Sequence, residues 1–172
     1  MGLGRKPFSM VMNALGNNHL IERVRRLFGK SPCRLQVAAL PWRKTGKGVE
    51  VLLITSRDSG RWVLPKGWPE GKEDLCDAAM REAVEEAGLA GAISRREAGR
   101  YFYAKGLPSG EEVPCEVLVF PLEVDRVSDK WKEKRQRARK WVSPAEAVRM
   151  ISEPDLCRLI AAFCADPRKF AA

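Results

Sequence analysis

Apolar residues gather in short runs separated by polar and turn-forming positions. The runs at 35–43 and 49–56 predict two strands, joined by the Gly- and Lys-rich turn 44–48. A short strand is predicted at Trp62-Val63-Leu64. Residues 65–71 carry Pro65, Gly67, Pro69 and Gly71, and this punctuation predicts no regular structure. Asp74 opens a predicted helix to about Ala87, with Asp77 three residues on and Gly88 ending it. Leu75, Ala78, Ala79, Ala83 and Val84 supply its core-facing side.

Strands are predicted near 97–105 and 113–124, linked by the Gly106–Gly110 turn, and again at Trp141-Val142. Ser143-Pro144-Ala145-Glu146 is a capping box with proline at the first helical position, starting a helix to about Ile151. Ser152-Glu153-Pro154-Asp155 repeats the arrangement and predicts a last helix to about Ala165. Near the N-terminus, Asn18 predicts the cap of a helix with Leu20, Val24, Leu27 and Phe28 at helical spacing, ending at Gly29. Arg23, Arg25 and Arg26 lie on its other face, which suits a surface helix packed on the domain, with a membrane-surface helix as the alternative. The sum is a sheet with helices: an α+β chain, or an α/β/α sandwich. The expected organisation is an N-terminal extension over 1–34 with one helix, a folded domain over 35–165, and a tail over 166–172.

Composition narrows this picture. The 172 residues suit one domain, and 45% hydrophobic content excludes a disordered chain. No apolar run approaches the ~20 residues that span a bilayer, and Met1–Met12 has no long apolar stretch, so neither a membrane span nor a signal peptide is expected. Five cysteines with no CxxC pair argue against a zinc ribbon or a disulfide framework. They predict small buried hydrophobes in a reducing cytoplasm. A net charge of +9 points to an anionic partner: nucleic acid, a membrane surface or a phosphorylated small molecule.

The candidate chemistry lies between Gly67 and Leu89. Glu82, Glu85 and Glu86 stand at i, i+3 and i+4 of a helix, which puts three carboxylates on one face with only Arg81 nearby. Such a group repels itself. A hard divalent cation with oxygen ligands removes the repulsion. A solvated acidic helix face is the alternative.

The wider stretch reads G-x5-E-x7-R-E-U-x-E-E-x-G-U, where U is apolar. Gly67, Glu73, Arg81, Glu82, Ala83, Glu85, Glu86, Gly88 and Leu89 fill its fixed positions, with Ala83 a small choice for its slot. This resembles the Nudix box, and the resemblance extends over roughly residues 35–165. It implies the Nudix fold, an α/β/α sandwich around a mixed β-sheet. It also implies hydrolysis of a diphosphate linked to another group, with Mg²⁺ or Mn²⁺ as cofactor. By the same resemblance, Glu82, Glu85 and Glu86 bind metal and activate water, with Glu85 favoured as the base. The Gly67 carbonyl joins the metal shell, Arg81 pairs with Glu73 to orient the loop and the carboxylates, and Gly88 has a structural place in the box.

The run Ser56-Arg57-Asp58-Ser59-Gly60-Arg61-Trp62-Val63-Leu64-Pro65 is similar to the segment preceding the box in diphosphoinositol polyphosphate phosphohydrolases, a subfamily that also hydrolyses diadenosine polyphosphates. The stretch from Trp131 to Ala147 resembles that subfamily's tail. These matches carry over Arg57 as a phosphate contact, with Thr55 and Ser56 as hydroxyl partners. Pro65-Lys66-Gly67 departs from that subfamily's Pro-Gly-Gly and matches Nudix diadenosine tetraphosphate hydrolases, which adds Lys66 as a point charge for phosphate. Gln36 and Pro114 stand where those enzymes place basic residues.

The run Lys130–Lys140 holds seven basic residues and one acid. It is either a solvated face or a rim that guides a polyanion, with Arg137 and Arg139 on one side of a strand. Weak nonspecific nucleic-acid binding is a secondary expectation, although no RNA-binding module signature is present. Trp42, Trp62 and Trp141 read as core or sheet-face residues, Trp68 as a neighbour of substrate, and His19 as a surface or structural residue. A nucleotide-sugar, ADP-ribose or nucleoside triphosphate pyrophosphohydrolase is the second enzymatic reading, and a Nudix-fold RNA-binding or regulatory protein the third. Residues 67–89 carry seven acids against two bases, −5, so the other 149 residues carry +14. The expected layout is an acidic pocket in a basic surround.

Overall fold

The computed structural model describes residues 33–107 and 109–170. The predicted N-terminal helix and His19 lie outside them. The described residues divide into two compact units: the smaller holds Phe102–Cys115, and the larger holds Leu35–Tyr101 and residues 116–170.

In chain order the elements are β1 (Arg34–Thr45), β2 (Gly48–Thr55), β3 (Trp62–Val63), β4 (Lys66–Gly67), α1 (Leu75–Ala87), β5 (Leu89–Ile93), β6 (Gly99–Gly106), β7 (Glu112–Val127), β8 (Arg139–Val142), α2 (Pro144–Met150) and α3 (Pro154–Ala165). A 3₁₀ turn over Pro167–Phe170 follows. The strands make one sheet in the order β3-β2-β1-β7-β5, with β4 on β1, β6 on β7 and β8 on β2. The class is α+β, as expected. The first hairpin pairs Thr45 with Gly48, one step from Lys44 opposite Val49. Between β6 and β7, in the smaller unit, Leu107 N donates to Glu111 O at 2.8 Å and Gly110 N to Leu107 O at 2.9 Å, closing the predicted turn.

Within the larger unit the sheet is covered on both faces. Val37 and Ala39 of β1 and Leu52 and Ile54 of β2 pack with Ala79, Ala83 and Ala87 of α1. The intervening β1 residues Ala38 and Leu40 are also fully buried, and strand geometry sends them to the opposite face. On that side Trp42 meets Phe163 of α3 edge-on, with ring centroids 5.7 Å apart. Ala78, Ala79, Ala83 and Ala87 all lack solvent exposure. Their small side chains let α1 lie close on the sheet, which explains why alanine suits position 83.

Several expectations need correction. Val84 is 46% exposed rather than core-facing. The buried stripe of α1 runs through Cys76, Ala79, Ala83 and Ala87, and Val84 lies outside it. Residues 65–71 include a two-residue strand, β4, which pairs Gly67 with Val37. The five-residue β5 has a bulge at Ala90/Gly91 that obscures its strand pattern. The second capping box does not form: α3 is capped by Glu153 with no side-chain bond. The first one does, with Ser143 and Glu146 exchanging both hydrogen bonds. Among the described residues no helix is long and apolar enough to cross a membrane.

Candidate active site

Helix α1 delivers the three box glutamates differently. Glu82 and Glu86, one turn apart, are buried, whereas the Glu85 side chain is 32% exposed and pairs with Lys132, Nζ to Oε2 at 2.6 Å. Beneath the buried pair runs β4, fixed to the sheet by β1. Its Lys66 N–H donates to Glu86 Oε2 at 2.9 Å. A Cβ placed on Gly67 would overlap the Glu82 carboxylate, so glycine makes the close approach of backbone to carboxylate possible.

Arg81 ties the loop to the helix. Its Nη2 donates to Glu73 Oε1 at 2.9 Å and to Trp68 O at 3.0 Å, and its Nη1 to Glu82 Oε1 at 2.7 Å. The Arg81 hydrogen bond, helped by the Glu70 N–H, holds the Glu73 carboxyl below the usual carboxylate range. The Glu73 hydrogen bond in turn raises Arg81 further above its usual value. Burial pushes Glu82 up, opposed by Arg81. Burial pushes Glu86 up to about 7, opposed by Arg137 and by the Lys66 N–H. Burial raises both carboxylates, and the Glu82 charge adds to the cost at Glu86, which a cation placed beside them would relieve.

The donor chemistry fits Mg²⁺ or Mn²⁺, which take oxygen ligands. Glu82 and Glu86 would hold it, beside the Gly67 backbone that the Glu82 carboxylate closely approaches. Among the described residues no three His, Cys, Asp or Glu side chains are already grouped for an ion, and the Glu85 carboxylate pairs with Lys132.

The C-terminal end of α1 is finished by a distant segment. The last carbonyls of a helix have no partners within it. Here Glu133 N donates to Glu85 O at 3.2 Å, Ser128 N to Gly88 O at 2.8 Å, Trp131 Nε1 to Glu86 O at 3.1 Å, and Arg139 Nη1 to Ala87 O at 2.6 Å. The Arg139 guanidinium stacks 4.0 Å above the Trp131 ring. Gly88 closes the helix with φ 66°, and a Cβ there would lie 2.9 Å from Trp131 Cβ.

Arg137, only 7% exposed, pairs with both Glu86 and Glu133 and donates to Thr55 O at 2.9 Å. Glu133 also receives Arg57 Nη1, at 3.3 Å. The structure thus gathers Gly67, Glu73, Arg81, Glu82, Glu86 and Arg137 around α1. Arg57 stands at the edge, 54% exposed. The Ser56 hydroxyl is 2.6 Å from that of Ser59, and Thr55 Oγ1 accepts from Ala138 N at 2.9 Å. The sequence alone assigns Glu133 and Trp131 no role of their own, and Lys132 only its share in the basic run. The available signal for Glu133 is its place as the lone acid in a basic run.

A model of the NUDIX domain matches residues 33–163. The chain belongs to the Nudix hydrolase family. Nudix hydrolase 21, chloroplastic, of Arabidopsis thaliana is 34% identical over 134 residues, covering 76% of this chain and 66% of that protein, just under two thirds of its length. Mouse diphosphoinositol polyphosphate phosphohydrolase 3-alpha is 25% identical over 128 residues, covering 73% and 74%. A C. elegans Ap4A hydrolase structure has the same fold, with a TM-score of 0.58 at 22% identity, covering 78% of this chain and 98% of that one. The Nudix box resemblance and the Nudix fold are thereby established for this chain.

Proposed function

We propose that this Nudix protein hydrolyses a phosphoanhydride bond in a highly anionic small molecule, a diadenosine polyphosphate or a diphosphoinositol polyphosphate. The observation that carries the reading is the buried Glu82–Glu86 pair, Glu82 against Gly67 and Glu86 on the Lys66 N–H, in a chain that is strongly basic elsewhere. The names of the mouse and C. elegans relatives supply the two substrate classes.

When bound, Mg²⁺ or Mn²⁺ supplies charge neutralisation on the phosphates. Glu82 and Glu86 would hold it with the Gly67 carbonyl, and Arg81 fixes Glu82 through its bond at 2.7 Å. Glu85, the most exposed of the three glutamates, takes the proton of the attacking water on its carboxylate. Arg57, Lys66 and Ser56 meet the substrate phosphates. Arg137 and Arg139, given their partners on α1, act from behind the carboxylates. The scattered cysteines support a reducing compartment, the cytoplasm, which imaging of the tagged full-length protein checks.

The test is turnover of a panel of diadenosine polyphosphates, diphosphoinositol polyphosphates, ADP-ribose, nucleotide sugars and nucleoside triphosphates with Mg²⁺ or Mn²⁺. Cleavage of one of the first two classes is expected, falling about 10²–10⁴-fold in Glu85→Gln and at least as far in Glu86→Gln. Preference for ADP-ribose, a nucleotide sugar or a triphosphate would replace the substrate class. No turnover combined with salt-sensitive RNA binding would replace the enzymatic reading with a regulatory one.

A further inference from the structure

Arg137 sits between two carboxylates, and only Glu86 belongs to the box. Its Nη2 goes to Glu86 and its Nε to Glu133. The Glu133 side chain is 12% exposed. It is pinned three ways: by Arg137, by Arg57 at 3.3 Å, and by its own N–H on Glu85 O at 3.2 Å. A guanidinium as buried as that of Arg137 cannot stand uncompensated. Once Glu86 gives its charge to a divalent cation, Glu133 is the acid left to balance Arg137. Glu133 also adds negative potential at Glu82, which favours a cation there.

We propose that Glu133 is a positioning residue that gives Arg137 a second carboxylate, so that Glu86 can be released from Arg137 and offered to a divalent cation. This rests on the metal-binding part of the proposed function. Without Glu133, Glu86 is the one carboxylate among the described residues that still pairs with Arg137, which then competes with the metal for it. Without Arg137, the competitor is gone and both acids face the site. The two substitutions therefore act with opposite sign on metal affinity, which a purely structural role for either residue does not produce.

The experiment is Mn²⁺ titration of the full chain, read by the electron paramagnetic resonance of free Mn²⁺ and by calorimetry, with thermal unfolding as the folding control. Glu133→Gln is expected to bind Mn²⁺ about tenfold more weakly than wild type. Arg137→Gln is expected to bind at least as tightly as wild type, and the double variant to recover most of the affinity lost in Glu133→Gln. Wild-type affinity in Glu133→Gln, or no recovery in the double variant, overturns the assignment. So does weakened binding in Arg137→Gln, which decides alone if Glu133→Gln does not fold. A wild-type protein that binds no Mn²⁺ overturns the proposed function itself, an outcome distinct from these.

Discussion

Gly67 is the residue on which the site turns. The Glu82 carboxylate occupies the space that a side chain at 67 would need. The obstruction is the mobile end of a glutamate rather than backbone, so Gly67→Ala is expected to leave the fold intact and to displace Glu82. Melting temperature should stay within a few degrees, while Mn²⁺ affinity and turnover fall about 10–100-fold. Calorimetry alongside kinetics checks this; a large melting loss with normal affinity would refute it. At Trp131 the expectation is reversed. Trp131→Phe keeps the ring under Arg139 but removes the Nε1 donor to Glu86 O. Leaving that carbonyl unpartnered costs about 1–3 kcal/mol, measurable by denaturant unfolding.

At the scale of elements, the helix ends carry the most information. In the capping box of α2, Ser143 N donates to Glu146 Oε2 at 3.1 Å and Glu146 N to Ser143 Oγ at 3.3 Å. The Ser143 N–H, joined by the Ser143 hydroxyl donating to the same oxygen at 3.1 Å, holds the Glu146 carboxyl below its ordinary 4.5. A depressed carboxylate contributes stability that is present above the unfolded value and lost as pH falls through the folded one. Ser143→Ala should cost about 1 kcal/mol at neutral pH. Its deficit relative to wild type should shrink as pH drops below about 4.5, followed by urea midpoints across pH 3–7; a deficit constant with pH would refute the linkage. The Gly88 and Ser143 caps were legible in the sequence because capping is local, and Asp74 stands where α1 starts but makes no side-chain capping bond. The strand β4 was not legible, since two residues have no period and exist as a strand only through Val37 and Ala38. The three carboxylates were legible as a face, but their different burial was not. That difference depends on β4 lying under Glu82 and Glu86 and on Lys132 meeting Glu85. Glu133 was hidden for the same reason: its partners Arg57 and Glu85 are 76 and 48 positions away in the chain.

Across the whole molecule, charge is divided sharply by region. The box segment is at −5 and the remainder at +14. Arg57 is more than half exposed. Exposed cations act through solvent and are screened beyond about 10 Å at 0.1 M salt. KM for a polyanionic substrate should therefore rise several-fold between about 0.05 and 0.5 M salt, with kcat nearly unchanged because the buried pairs at Glu82 and Glu86 are shielded. Initial-rate measurements across salt test this; a fall in kcat at constant KM would count against the basic surround as a guide. The finishing of α1 by residues 128–139 also sets an order of events in time. Closing contacts across more than forty residues is slow beside forming a helix. The box helix α1 is therefore expected to wind early, with its last turn frayed until the segment leading into β8 arrives. A growing chain thus carries the complete Nudix box well before it carries a working carboxylate pair, and a product ending before residue 128 would have the motif without the site.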